Sequence, residues 1–267
     1  MDFSSFNANT AKYDGNNAYW LGRAAALAYR DEAQIRAETA AWGLGQCRFF
    51  DRRETQAFMA ANADAVIVAF RGTQPAELKD WMTDSEVLLV DGPFGLVHDG
   101  FRRGLDYVWQ DIVDALAEFK GKGKSLWFTG HSLGAALATL AVARLRAPPY
   151  DQPVYGLYDF GSPRVGDNTF VQNFNADFKP RCFRFVNNAD VVTRVPLRTM
   201  GFGHVGTFMY FDKDGNLHDD PAFWYKFLDS VEGSIDGLSR LEPAALAAHS
   251  MERYVGYLER NIGVDPL

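Results

Sequence analysis

Gly130-His131-Ser132-Leu133-Gly134 is the stretch whose residue types and spacing are best suited to covalent chemistry. A short apolar run at residues 126–128 precedes it, and a helix rich in Ala and Leu is predicted from about Leu133. A serine held at such a strand-to-helix corner presents its hydroxyl as a nucleophile, and flanking glycines leave room where a Cβ would clash. Ala135, Ala136 and Ala138 allow the helix to pack closely beneath the corner. The helix N-terminus then directs a positive dipole at the place where an oxyanion would form.

A nucleophilic serine needs a base and an orienting acid, which at this kind of corner follow it in the order Ser, Asp/Glu, His. The chain has five histidines. His98 precedes Ser132, and the side chain of His131 is expected to diverge from that of its neighbour. His204, within Gly201-Phe-Gly-His-Val-Gly206, reads as a packed, hydrogen-bonded residue, and His218 as a solvated one. His249 opens an apolar-periodic stretch (Met251, Tyr254, Val255, Leu258), which places it at a loop-to-helix junction. For the acid, Asp190 follows a predicted strand, where a parallel sheet places its functional groups. Asp159 falls inside a strand run, and Asp167 and Asp177 read as surface loop charges.

Those residues require a scaffold of alternating strands and helices. Residues 17–30, 101–119, 135–145 and 242–260 carry helical periodicity, the last with Pro243 suited to its start. Strand character marks residues 47–50, 55–59, 65–70, 126–128, 154–160, 181–186 and 207–211, and Asp214-Gly215 predicts a hairpin turn after the last. The continuous apolar run at residues 65–70 reads as a strand buried on both faces. This alternation predicts a mainly parallel sheet covered on both faces, and no linker or repeat divides residues 1–267, so one domain is expected. The first dozen residues read as a wrapped or loose arm.

Composition narrows the partners. With 27 Lys and Arg against 34 Asp and Glu, the net charge is −7. That disfavours nucleic acid and standing electrostatic attachment to an anionic membrane. No run reaches the length of a transmembrane helix and the N-terminus lacks a leader's charge and apolar core, so a soluble chain is expected, cytoplasmic or with a leader removed. Cys47 and Cys182 form neither a CxxC pair nor a metal-ligand spacing, so no zinc site is implied and two free buried thiols are expected. No metal or cofactor is expected. Aromatics are abundant, with 21 Phe, 11 Tyr and 6 Trp.

Several separated motifs together resemble the class 3 lipases, α/β-hydrolases typified by triacylglycerol lipases of filamentous fungi. They are Phe70-Arg-Gly-Thr73, Asp80-Trp-Met-Thr-Asp84, His98-Asp-Gly-Phe101, Gly130-His-Ser-Leu-Gly134, Phe160-Gly-Ser-Pro-Arg-Val-Gly166, Asn188-Ala-Asp-Val-Val-Thr-Arg-Val-Pro196, Gly203-His-Val-Gly206 and His249-Ser-Met-Glu-Arg-Tyr254. The 58 residues from Ser132 to Asp190 and the 59 on to His249 also look like that family's. The resemblance implies an α/β-hydrolase fold with Ser132 as nucleophile, His249 as base and Asp190 as orienting acid. It assigns the oxyanion hole to Thr73 and to the Leu133 amide. Thr73 ends a buried strand and Leu133 follows the nucleophile, as such donors must. His98 and His204 match positions that look structural, and Arg71 is expected to tie loops together.

In such lipases an amphipathic lid follows the oxyanion residue. Residues 75–89 have the spacing of a short lid helix carrying Trp81 and Met82, although an ordinary surface helix burying Trp81 explains the same pattern. Phe223-Trp-Tyr-Lys-Phe227 suits an acyl groove or plain core packing. Asp212-Lys-Asp-Gly-Asn216 begins like a calcium loop but lacks its later glycine and glutamate, so a turn is expected. The expected activity is ester hydrolysis through an acyl-enzyme, most specifically on triacylglycerol. A short-chain or aryl carboxylesterase and a phospholipase A1 would use the same machinery, and a non-catalytic lipid-binding protein would keep only the fold.

Overall fold

A computed structural model describes residues 3–73, 88–188, 190–219 and 247–266. Its centre is an eight-stranded sheet in the order β1-β2-β3-β6-β7-β8-β9-β10. These strands are Gln46–Arg52, Thr55–Ala61, Ala65–Phe70, Ser125–His131, Gly156–Phe160, Cys182–Asn187, Thr207–Phe211 and Leu217–His218. The run from β3 through β6, β7 and β8 to β9 is parallel, while β1, β2 and β10 pair antiparallel at the edges. A separate hairpin, β4 (Leu89–Gly92) with β5 (Gly95–His98), stands beside it.

The central strands are buried along their whole length, as continuous apolar runs between two helical layers require. Their side chains alternate between the layers. Val66, Val68, Phe70, Leu126 and Phe128 join one core with α3 (Asp99–Ala117), α4 (Leu133–Arg146) and α5 (Asn168–Phe178). Ile67, Trp127, Tyr158, Phe183 and Phe185 join the other, with α1 (Gly15–Leu27) and α6 (Met251–Arg260). The N-terminal arm is anchored to this second core, since Phe3 stacks on Phe6 and sits edge-on to Trp20.

The expected strand at residues 65–70 and the helices at 101–119 and 135–145 recur within two residues of their predicted ends. The final helix is shorter than expected over its described part. The chain turns at His249, and Ser250 caps α6 by accepting from the Arg253 amide. Helix α2 (Glu32–Ala41), the β4–β5 hairpin and α5 were not anticipated. Asp167 and Asp177, read as loop charges, belong to α5 instead. Asp167 caps it by accepting from the Phe170 amide, and Asp177 forms a two-point ion pair with Arg146 on α4. Both cysteines are free and buried.

Candidate active site

The corner after β6 is strained in the manner the glycine pattern predicts. Ser132 has φ 57° and ψ −130°, outside the ordinary regions for a residue with a Cβ, and α4 starts at the next residue. Its amide is held by the Phe160 carbonyl of β7 at 3.0 Å. A Cβ on Gly130 would lie 2.2 Å from the Gly134 carbonyl oxygen, and one on Gly134 would lie 2.3 Å from that of Phe70. The elbow is therefore pressed between its own helix and the end of β3. Leu133 opens α4, where an amide has no intrahelical acceptor.

His249 Nδ1 lies 3.0 Å and 2.9 Å from the two carboxylate oxygens of Asp190. Both side chains are buried. Asp190 follows β8, and its Oδ1 accepts from the Val192 amide at 3.0 Å while Oδ2 accepts from the Tyr254 hydroxyl at 2.6 Å. Burial works against its charge, but His249 and the Tyr254 hydroxyl outweigh it and hold the carboxyl below its ordinary range. Gly161, at φ +59°, makes room for the pair, since a Cβ there would lie 2.7 Å from Asp190 Oδ2 and 2.9 Å from the His249 ring. Asn187 ties the loop down from beneath, donating through Nδ2 to the Ala248 carbonyl at 2.7 Å.

With Nδ1 committed to a carboxylate, His249 presents Nε2 as an acceptor. Among the described residues neither this Nε2 nor Ser132 Oγ has a hydrogen-bond partner, though both are buried. A base and nucleophile often close up only with substrate in place. Thr73, His131 and His249 share the wall of one cavity of about 1320 Å³, which continues between α1, α2 and the start of α6.

The His131 ring lies within the site. It lies against His249, with ring centroids 4.3 Å apart, and bonds the His249 carbonyl and the Tyr29 hydroxyl. Burial, and then the neighbouring His249, push its pKa well down, so it is neutral. The remaining histidines lie elsewhere. His98 caps α3 and stacks on Phe101, His204 bonds the Thr193 carbonyl, and His218 lies 3.0 Å from Asp212. Asp159 is buried on the opposite side of the sheet from the His249 loop, and burial raises its pKa to about 7 against the pull of Arg184. Arg71 ties to Gln56 of β2 through its side chain and amide. Asp212 folds the following turn by accepting from the Asp214 and Asn216 amides. No group of three or more His, Cys, Asp or Glu side chains is placed to hold a metal among the described residues.

Trp81, Met82 and most of the expected lid at 75–89 lie outside the described residues, as does the aromatic cluster at 223–227. Tyr254 is the residue of this site that sequence reasoning missed. It was read for its apolar face, and its position in His249-Ser-Met-Glu-Arg-Tyr254 was the available signal.

A parallel sheet between two helical layers, with a strained serine where a central strand meets its helix, is the α/β-hydrolase fold. The profile of the lipase (class 3) family matches residues 67–200, half of the chain, and the chain belongs to that family. It is 35% identical over 159 residues to a secreted mono- and diacylglycerol lipase of Penicillium cyclopium, covering 57% of this chain and 50% of the relative. It is 32% identical over 224 residues to a triacylglycerol lipase of Ricinus communis, covering 63% and 43%. The solved Rhizomucor miehei lipase in its propeptide complex superposes with a TM-score of 0.63 at 25% identity, covering 76% of this chain and 70% of that one. The chain thus spans about half the length of the curated relatives it matches.

Proposed function

We propose that this chain is a serine carboxylic-ester hydrolase of lipase type, with Ser132 as nucleophile, His249 as base and Asp190 as orienting acid. The observation that carries the reading is the buried His249–Asp190 pair, which leaves His249 Nε2 unbonded among the described residues, with the His249 ring against His131, the residue before a serine in elbow geometry. His249 takes the Ser132 proton as Oγ attacks the ester carbonyl, and Asp190 holds the imidazole tautomer and its transient charge. Thr73, through amide and hydroxyl, and the Leu133 amide stabilise the oxyanion, each donor contributing ~3 kcal/mol. The alcohol leaves with the proton from His249, and water releases the acid by the reverse route.

Relatives named as mono-, di- and triacylglycerol lipases support a lipid substrate over a small ester. At a net charge of −7, contact with a lipid surface would be apolar rather than electrostatic. No described helix is long and apolar enough to cross a membrane. Residues 1–267 act in this reading as one unit, because the five positions come from both halves of the chain.

Fluorophosphonate labelling tests the assignment. Ser132→Ala is expected to abolish labelling and p-nitrophenyl ester turnover while leaving the thermal transition in place. Substantial turnover by that variant would overturn it. Activity across an ester series from C2 to C18 then separates lipase from short-chain esterase.

A further inference from the structure

Tyr29 follows the last turn of α1 and lines the cavity beside Thr73 and His249. Its hydroxyl is 2.7 Å from His131 Nδ1, and His131 Nε2 is 2.6 Å from the His249 carbonyl oxygen. A carbonyl only accepts, so the proton of the neutral His131 ring resides on Nε2. Nδ1 is then an acceptor, and the Tyr29 hydroxyl donates to it. This chain reaches the backbone of the proposed base through a single imidazole.

The other side of the same hydroxyl lies against the strand end that carries the proposed oxyanion donor. A Cβ on Gly72 would stand 2.3 Å from the Tyr29 oxygen, 2.4 Å from the His131 carbonyl oxygen and 3.1 Å from Ser132 Cβ. Gly72 is therefore glycine because three elements converge on it: α1 through Tyr29, the elbow through His131 and Ser132, and its own strand. Thr73 is the next residue, so any shift at Gly72 is passed on to it. Oxyanion stabilisation depends on donors fixed before reaction, and displacements of about 1 Å are costly.

We propose that Tyr29 is a positioning residue of the reaction, its hydroxyl set between Gly72 and His131 so that the Thr73 donor is fixed relative to His249. The inference rests on the roles given to Ser132, His249 and Thr73 above. Tyr29 touches no reacting atom in this scheme and acts through its two neighbours.

The test is Tyr29→Phe, with kcat and KM measured on a soluble p-nitrophenyl ester. Active sites are counted by fluorophosphonate titration, so that unfolded molecules do not enter kcat. We expect kcat per titrated site to fall about tenfold with KM within about twofold, because ground-state binding is retained. In a Thr73→Val background the same change is expected to cost clearly less than in the wild type, since the Thr73 hydroxyl is already gone and only the amide remains to be positioned. An unchanged kcat per titrated site overturns the proposal, as does a full tenfold loss repeated in the Thr73→Val background. Failure of the wild-type protein to take up the fluorophosphonate would instead overturn the assignment of Ser132, so the two failures are distinguishable.

Discussion

The Tyr254 hydroxyl donates to Asp190 Oδ2 at 2.6 Å and accepts from the Asn187 amide at 2.9 Å, joining α6 to the end of β8 through one oxygen. Asp190 thus meets two donors besides His249, the Val192 amide and this hydroxyl. Tyr254→Phe strands the buried Asn187 amide and removes one donor from the carboxylate, at a cost of about 1–3 kcal/mol. Asp190 has a folded-state pKa below its unfolded value, so its contribution is present above the ordinary carboxylate range and is lost as pH falls through the lowered folded value. The variant is therefore expected to unfold in acid at higher pH than the wild type, as read by circular dichroism between pH 2 and 6. An unmoved acid transition would count against the role of the hydroxyl.

Asp159 has the opposite sign. Burial raises its pKa to about 7, so the folded state keeps a proton that the unfolded chain releases near pH 4. Stability is consequently lost as pH rises from about 4 to about 7, on the order of a few kcal/mol. Asp159→Asn cannot ionise, so its urea midpoint is expected to fall less between pH 5 and 8 than that of the wild type. Parallel curves for the two proteins would contradict the shift.

Gly161→Ala places a Cβ 2.7 Å from Asp190 Oδ2 and 2.9 Å from His249 Nδ1 at a backbone position with φ +59°. The pair must separate, and kcat is expected to fall about 100-fold or more. The left-handed conformation adds about 1–3 kcal/mol of instability. Steady-state kinetics beside a thermal melt distinguishes the two effects.

Thr73→Val removes a hydroxyl but keeps the shape of the side chain and the backbone amide. If that hydroxyl acts mainly in the transition state, kcat falls by about 100-fold while KM changes little. A rise in KM at constant kcat would place Thr73 in substrate binding instead.

The scaffold was legible wherever a single period dominated. The continuous run Ala65–Phe70 became a central strand, and the Ala- and Leu-rich stretch after Ser132 became α4, because burial on every side leaves no competing pattern. Helix α2 escaped notice because only Ile35 and Thr39 turn inward, too few to mark a face. Helix α5 carries its signal only in Phe170, Phe174 and Phe178, spaced every four residues among mostly polar neighbours. At the site, the elbow motif, chain order and the predicted strand and helix ends pointed to Ser132, Asp190 and His249 as candidates, as did the family resemblance. The supporting bonds were illegible for a different reason. His131 meets Tyr29 and His249 across 102 and 118 residues, and Tyr254 meets Asp190 across 64. Local patterning carries no record of such distant pairings.

The parallel pairing of β3 with β6 has a temporal consequence. Ala65 faces Ser125 in register, so Thr73 and Ser132 become neighbours only after the intervening hairpin and α3 have been made. Asp190 arrives after two more strands, and His249 beyond all of them. Under the proposed roles, ester turnover would report the arrival and docking of α6, and a fragment released earlier would lack the proposed base.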